Sequence, residues 1–305
     1  MEREDILRFH VRLAGLLTVL IALHVPQSAS AQAPAGGGFI DAHVHLNEPD
    51  AWIRLMDAAG IGRAIIFRGR SIDNGGLIEA ARRWPDRLIP FLSVSPEHRE
   101  FRDAWAADDL RLVTIVDSLL RTGGFRGIGE ISVSHFPGAG FPEADFSPHG
   151  RVMRGILEVA RRHRVPVTVH VEVTRLRELE ALLAEFRDVT IIWAHGGYTP
   201  LFLAERLLAG HPNLVYELSA RTWTRHPRSP DYTILRNERD VWPEWLDLIQ
   251  RMPDRFVAGT DASLRSIESD REKIASVSRF LEQLSPDVRR KVAIGNLERI
   301  LRLDH

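Results

Sequence analysis

Residues 39–45 read FIDAHVH, an apolar run that ends in Asp41, His43 and His45 rather than in glycine. An open doubly wound sheet usually carries a Gly-rich turn after its first strand, so this stretch points away from that fold. Working outward, seven more short apolar runs recur, at 63–67, 88–94, 125–131, 165–171, 189–194, 213–218 and 255–259. Helical patterns separate them, over 50–59, 77–84, 97–121, 151–164, 175–186, 201–209, 243–252 and 270–284. Strands alternating with helices imply parallel strands joined by βαβ crossovers. Eight such repeats in about 260 residues match the usual size of a TIM-type (β/α)8 barrel, and this α/β fold is the prediction.

The chain has 305 residues, 44% hydrophobic and 27% charged, with a formal net charge of −1. That is ample for one large core, and the absence of a basic excess argues against a nucleic-acid partner. With no cysteine, disulfides, thiolate metal sites, iron–sulfur clusters and a cysteine nucleophile are all excluded. Of 40 basic residues only Lys273 and Lys291 are lysines, which leaves 38 arginines.

Residues 13–25 (LAGLLTVLIALHV) follow Arg8 and Arg12 and precede a run of small residues at 28–33. This reads as a secretory signal over 1–33, cleaved after Ala31 or Ala33, ahead of a single domain over 34–305. The apolar run is shorter than the ~20 residues that span a bilayer, so no stable membrane anchor is expected after cleavage. Glu2, Glu4 and Asp5 offset the arginines and leave an uncleaved anchor as the competing reading. The expected location is outside the cytosol, periplasmic or secreted. The expected partners are a small-molecule substrate and, at most, further copies of the chain.

Two long connections, 132–150 and 220–242, are rich in Pro, Gly and aromatic residues. Both follow strand ends on the face where barrel enzymes build their sites, so they read as lids or as ordinary surface excursions.

The chemistry begins with His43 and His45. By strand alternation they point the same way, as does Asp41, and two imidazoles so placed can share one metal ion. A His-x-His pair arises by chance about once in every two chains of this histidine content, so it carries little alone. His170, His195 and Asp261 close the fifth, sixth and eighth strand patterns, and Glu130 lies near the end of the fourth. Singly, the two histidines read as packed core residues and the two acids as helix caps. Together they occupy strand ends that a barrel brings to one cavity. Buried acids need a cation or hydrogen bonds to stay ionised, and a metal satisfies all of them.

In order along the chain, IDAHVHL (40–46), GIGE (127–130), VTVHVE (167–172), WAHGG (193–197) and AGTDAS (258–263) resemble the amidohydrolase superfamily, specifically its amidohydrolase-2 branch. The closing GNLERIL (295–301) is similar to that family's last helix, so the resemblance spans 39–303. It implies a metal-bearing barrel in which His43, His45 and His170 bind the ion. Asp261 ligates it or handles its proton, and His195 completes the site. Many members bridge two ions with a carboxylated lysine on the fourth strand; no lysine precedes residue 273 here, which excludes that type. Glu130 stands on the equivalent strand as a metal ligand or as a group facing substrate. One divalent cation is expected, two being the alternative. Imidazole and carboxylate ligands suit zinc best and also admit manganese.

Arg68 and Arg70 follow the second strand and Arg221 the seventh. Facing the cavity, Arg68 and Arg221 would clamp a substrate carboxylate; otherwise they are solvated surface. Glu217 and Ser219 share strand parity with Arg221, so Glu217 is expected to point inward as a supporting partner of the site. Trp223 and His226 either wall the pocket or pack the loop. The leading function is a metal-dependent hydrolase of a small carboxylate-bearing ester, lactone or amide, with Asp261 taking the proton of the attacking water and His195 polarising the carbonyl. The resemblance also admits a non-oxidative decarboxylase. An exported metal-binding protein without turnover is the third reading.

Overall fold

A computed structural model describes residues 38–137, 143–223 and 233–303. The segment read as a signal lies outside them, as does His226. Eight parallel strands form in chain order: β1 (Ile40–Leu46), β2 (Arg63–Arg68), β3 (Leu88–Leu92), β4 (Gly127–His135), β5 (Val167–Val171), β6 (Ile191–Trp193), β7 (Leu214–Glu217) and β8 (Phe256–Val257). Each pairs with the next. The segment after β8 then meets β1, where the amides of Ala42, Asp261 and His45 donate to the carbonyls of Ala258, His43 and Ala262 at 2.8–2.9 Å. A TIM-type barrel is therefore what the alternating pattern encodes.

The helices α1 (Pro49–Ala59), α2 (Asn74–Arg83), α3 (Arg99–Ala106), α4 (Arg111–Leu120) and α5 (Arg151–His163) pack outside the first half. α6 (Leu176–Glu185), α7 (Leu201–Gly210), α8 (Pro243–Arg251) and α9 (Ile267–Glu282) cover the second, followed by α10 (Pro286–Arg290) and α11 (Asn296–Leu301). The stretch 97–121, expected as one helix, is two. Asp108 breaks it with a left-handed φ of 47°, a conformation Asp tolerates better than most residues. Its Oδ1 accepts the amide of Val152 at 2.9 Å, so the corner is tied to the start of α5.

Buried apolar residues form two layers. Ile40, Ala42, Ile65, Phe67, Ile89, Phe91, Ile192, Val215 and Val257 come from six strands and meet Leu297 and Leu301 of α11. Side chains from six strands can converge only inside the barrel, so this cluster is its floor. A larger cluster, including Val44, Leu46, Trp52, Ile66 and Val116, lies between strands and helices. The lumen above the floor is left to polar residues. The connection 132–150 begins as strand: β4 runs to His135 and pairs antiparallel with Ala144–Asp145. Within 220–242, Leu235–Arg236 and Asp240–Val241 form a short hairpin. Among the described residues no helix is long and apolar enough to cross a membrane.

Candidate metal centre

Two bulges aim the site. Asp41 pairs with Ala64 and Val44 with Ile66, so β1 holds one more residue than β2 between those pairs. A bulge interrupts the two-residue alternation. Ile40 and Ala42 face the floor, Val44 and Leu46 face outward, and His43 and His45 point into the lumen. The expectation that Asp41 shares their direction is corrected by this bulge. Its carboxylate instead accepts the Thr260 hydroxyl at 2.6 Å and the amides of Thr260 and His43 at 2.9 and 3.1 Å. In β4, Ile128 pairs with Val167 and Ile131 with Val169, so a second extra residue falls in the stretch that contains Glu130.

Glu130 is the hub. The Nε2 atoms of His43 and His45 lie 3.2 Å apart, and Glu130 Oε2 is 3.3 and 3.2 Å from them. Asp261 Oδ1 is 3.8 and 3.6 Å from the same two nitrogens. Ligands bonded at about 2.0–2.1 Å around a tetrahedral cation sit roughly 3.3–3.4 Å apart, so these four atoms nearly outline such a site. Glu130 Oε1 faces a second group, 3.1 Å from His170 Nδ1 and 3.7 Å from His195 Nε2. The six residues singled out from sequence thus assemble in one place, and Glu130 divides them into two donor groups. His170 Nε2 is buried and lies 3.5 Å from Glu172 Oε1. Converging imidazole nitrogens and carboxylate oxygens at these spacings fit a divalent cation.

Outer partners orient the rings. His43 Nδ1 is 3.2 Å from Glu217 Oε2, and His45 Nδ1 is 3.1 Å from the Arg68 carbonyl. His195 Nδ1 lies 2.8 and 3.2 Å from the hydroxyl and carbonyl of Ser219, while that hydroxyl donates to Glu217 at 2.7 Å. With each Nδ1–H donating outward, each Nε2 would be left with a lone pair for a bound cation. For His195 that tautomer would make Nε2 an acceptor, whereas the expected carbonyl-polarising role needs a proton there. Glu217 meets the expectation of an inward-facing partner.

His195 sits in a left-handed turn with Gly196, Gly197 and Tyr198, at φ 55°, 51°, 54° and 54°. A Cβ on Gly196 would lie 1.8 Å from the Tyr216 ring, and one on Gly197 would lie 2.2 Å from the Val171 carbonyl. Only glycine fits there, which is the physical content of the His-Gly-Gly sequence.

Electrostatics follow from burial. Burial raises the Asp261 carboxyl, but the charges of Lys273, His43 and His195 bring it down to about 2. Burial pushes Asp41 up to about 7 despite its hydrogen bonds from Thr260 and His43. His195 is lowered to about 4 by burial and by the charge of His170. Burial also lowers His170, yet hydrogen bonds to Glu130 and Glu172 outweigh it and raise that ring to about 10.

A cleft of about 650 Å³ opens over this group, lined by His45, Glu130, His170, His195 and Asp261. Arg68 and Arg70 line it as well, and the Arg68 guanidinium is paired with Glu100. Arg221 does not. It is 2% exposed, donates to the carbonyls of Thr199 and His195 at 3.0 and 3.4 Å, and lies over the Trp245 ring. The expected substrate clamp instead supports the left-handed turn from behind. Neither acid caps the helix that follows it: α9 is capped by Ser266, which accepts the amide of Ser269, and α5 starts after Gly150 with no side-chain cap. Trp223 does line the cleft. Sequence reasoning missed Glu97, His135, Glu172, Tyr198 and Lys273 on the same walls. Glu172 was legible, standing two residues beyond His170; His135 lies on the part of β4 beyond its predicted end.

Solved structures share the fold. An uncharacterised TIM-barrel protein from Bordetella bronchiseptica is 17% identical, with a TM-score of 0.59 over 87% of this chain and 98% of that one. A dihydroxybenzoic acid decarboxylase from Polaromonas sp. JS666, solved with manganese and 2-nitroresorcinol, is 14% identical, with a TM-score of 0.57 over 88% and 98%. A probable 2-pyrone-4,6-dicarboxylic acid hydrolase from Acinetobacter baumannii is 11% identical, with a TM-score of 0.53 over 87% and 99%. At such identities the likeness is one of fold. No curated protein matches the chain. The amidohydrolase family model Amidohydro_2, however, matches residues 40–303, the whole barrel from β1 to the end of α11. The chain belongs to this amidohydrolase family and is an enzyme of its superfamily.

Proposed function

We propose that the protein is a metal-dependent hydrolase of a small carboxylate-bearing ester, lactone or amide. The observation that carries this reading is Asp261, whose side chain is 29% exposed to the cleft while Glu130 beside it is 5% exposed. It is the carboxylate at the donor cluster that a water molecule and a substrate can both reach. A divalent cation held by His43, His45, Glu130 and Asp261 would supply Lewis acidity toward a carbonyl oxygen and lower the pKa of water. Asp261 accepts the proton of the attacking water and returns it to the leaving oxygen or nitrogen. Glu217 and the Arg68 carbonyl hold the two rings of His43 and His45 in the tautomer this requires.

The lining supports a small, charged substrate. Among the described residues no aliphatic side chain lines the cleft, and Phe136, Tyr198 and Trp223 are its aromatic residues besides the histidines. Arg68, Arg70 and Arg265 lie on its walls and favour an anionic group. One cation, zinc before manganese, is proposed at the His43–His45 group. Glu130 Oε1 with His170 and His195 is the place for a second, which metal analysis of the purified protein counts. The protein is further proposed to act outside the cytosol.

Decarboxylation is kept as the second reading, being the activity named for the Polaromonas protein of similar fold. A panel of esters, lactones and carboxylated substrates, assayed with metal restored, separates the two. Acid release in weak buffer supports hydrolysis; CO₂ release without hydrolytic acid overturns it. Neither product, with metal firmly retained, overturns both readings for the substrates of the panel.

A further inference from the structure

Lys273 is one of two lysines among 40 basic residues, it is 8% exposed, and it stands on the cleft wall beside Asp261. Its Nζ donates to the Asp261 main-chain carbonyl at 2.5 Å and lies 4.8 Å from the centre of the Trp223 ring. Asp270, one helical turn earlier on α9, is 3.8 Å from the same Nζ and accepts the amides of Leu264 and Ser263 at 2.6 and 3.4 Å. The loop these two residues grip is conformationally costly. Asp261 and Leu264 have φ of 55° and 53°, a left-handed backbone that non-glycine residues seldom adopt unless neighbours hold it.

The chemistry of the gripping group matters. An ammonium is a compact charge with three donors, so it can bind a carbonyl and rest on an aromatic face together. One turn of α9 thus anchors three polar backbone groups of the loop that presents Asp261. We propose that Lys273 is the positioning residue for Asp261, holding its backbone in the left-handed conformation that turns the carboxylate toward His43 and His45. This rests on the reading of Asp261 as a donor at the metal centre.

The test uses the full chain loaded with cobalt(II), whose visible spectrum reports ligand geometry, with cobalt affinity measured by chelator competition. Lys273→Met should weaken cobalt binding about tenfold, the lower end for a residue that orients a ligand, and should alter the visible bands. Asp261→Ala should weaken it as well. The double variant should bind no more weakly than Asp261→Ala alone, because a residue acting through Asp261 has nothing left to position. Additive losses, or wild-type affinity in Lys273→Met, overturn the proposal. If Asp261→Ala itself binds cobalt like the wild type, the assignment of Asp261 has failed, and the role of Lys273 with it. Should Lys273→Met not fold, Lys273→Gln replaces it and should show a smaller loss with the same non-additivity.

Discussion

Asp41 reaches across the seam of the barrel to Thr260, accepting its hydroxyl at 2.6 Å and its amide at 2.9 Å, with both side chains buried. The contact joins the strand that carries His43 to the segment that carries Asp261. Thr260→Val keeps the shape but leaves the Asp41 carboxylate short of a donor. It should cost about 1–3 kcal/mol in urea denaturation, the usual penalty for a buried group left unsatisfied, and Thr260→Ser should recover most of it. Asp41→Asn should leave metal stoichiometry unchanged. Equal stability of Thr260→Val and the wild type would show that the seam contact contributes nothing.

The two imidazoles of β1 define the proposed metal site. His43→Ala combined with His45→Ala should abolish bound metal in elemental analysis. It should also remove the metal-dependent rise in Tm, which for a ligand at 100 times its Kd corresponds to about 2.7 kcal/mol. Unchanged metal content in the double variant would place the ion elsewhere.

Ligation and proton transfer separate at Asp261. Asn retains a carbonyl oxygen but is no base, so Asp261→Asn should keep most of the metal and lose at least about 10²-fold in turnover on whichever substrate the panel identifies. Near-normal turnover would transfer the base role to Glu130.

The left-handed turn makes a prediction about stability alone. Gly197→Ala places a Cβ 2.2 Å from the Val171 carbonyl at a φ of 54°, where neither the neighbouring backbone nor the dihedral can yield cheaply. It should destabilise by more than about 1 kcal/mol. Gly62→Ala, with nothing within 4 Å of its Cβ, serves as the control and should change Tm little.

Export is tested by mass spectrometry of the mature N-terminus. Cleavage after Ala31 or Ala33 yields Gln32 or Pro34 as the first residue. Recovery of intact Met1 on membrane-bound protein would refute a cleaved signal.

The eight strands and the barrel were legible in the sequence because apolar runs of the right length recur at a helical spacing, and parallel strands need those crossovers. Convergence of His43, His45, Glu130, His170, His195 and Asp261 was legible for the same reason: the topology gathers the carboxyl ends of strands on one face. What tertiary structure alone decided is where side chains aim. One extra residue in β1 sends Asp41 to Thr260 instead of toward the histidines, and a bulge leaves no mark in residue type, since it is a register relation between two strands. Arg221 lies behind His195, and Lys273 reaches Asp261 from a helix twelve residues on. Both placements depend on how a loop folds back against neighbours distant in sequence, and neither periodicity nor composition encodes that.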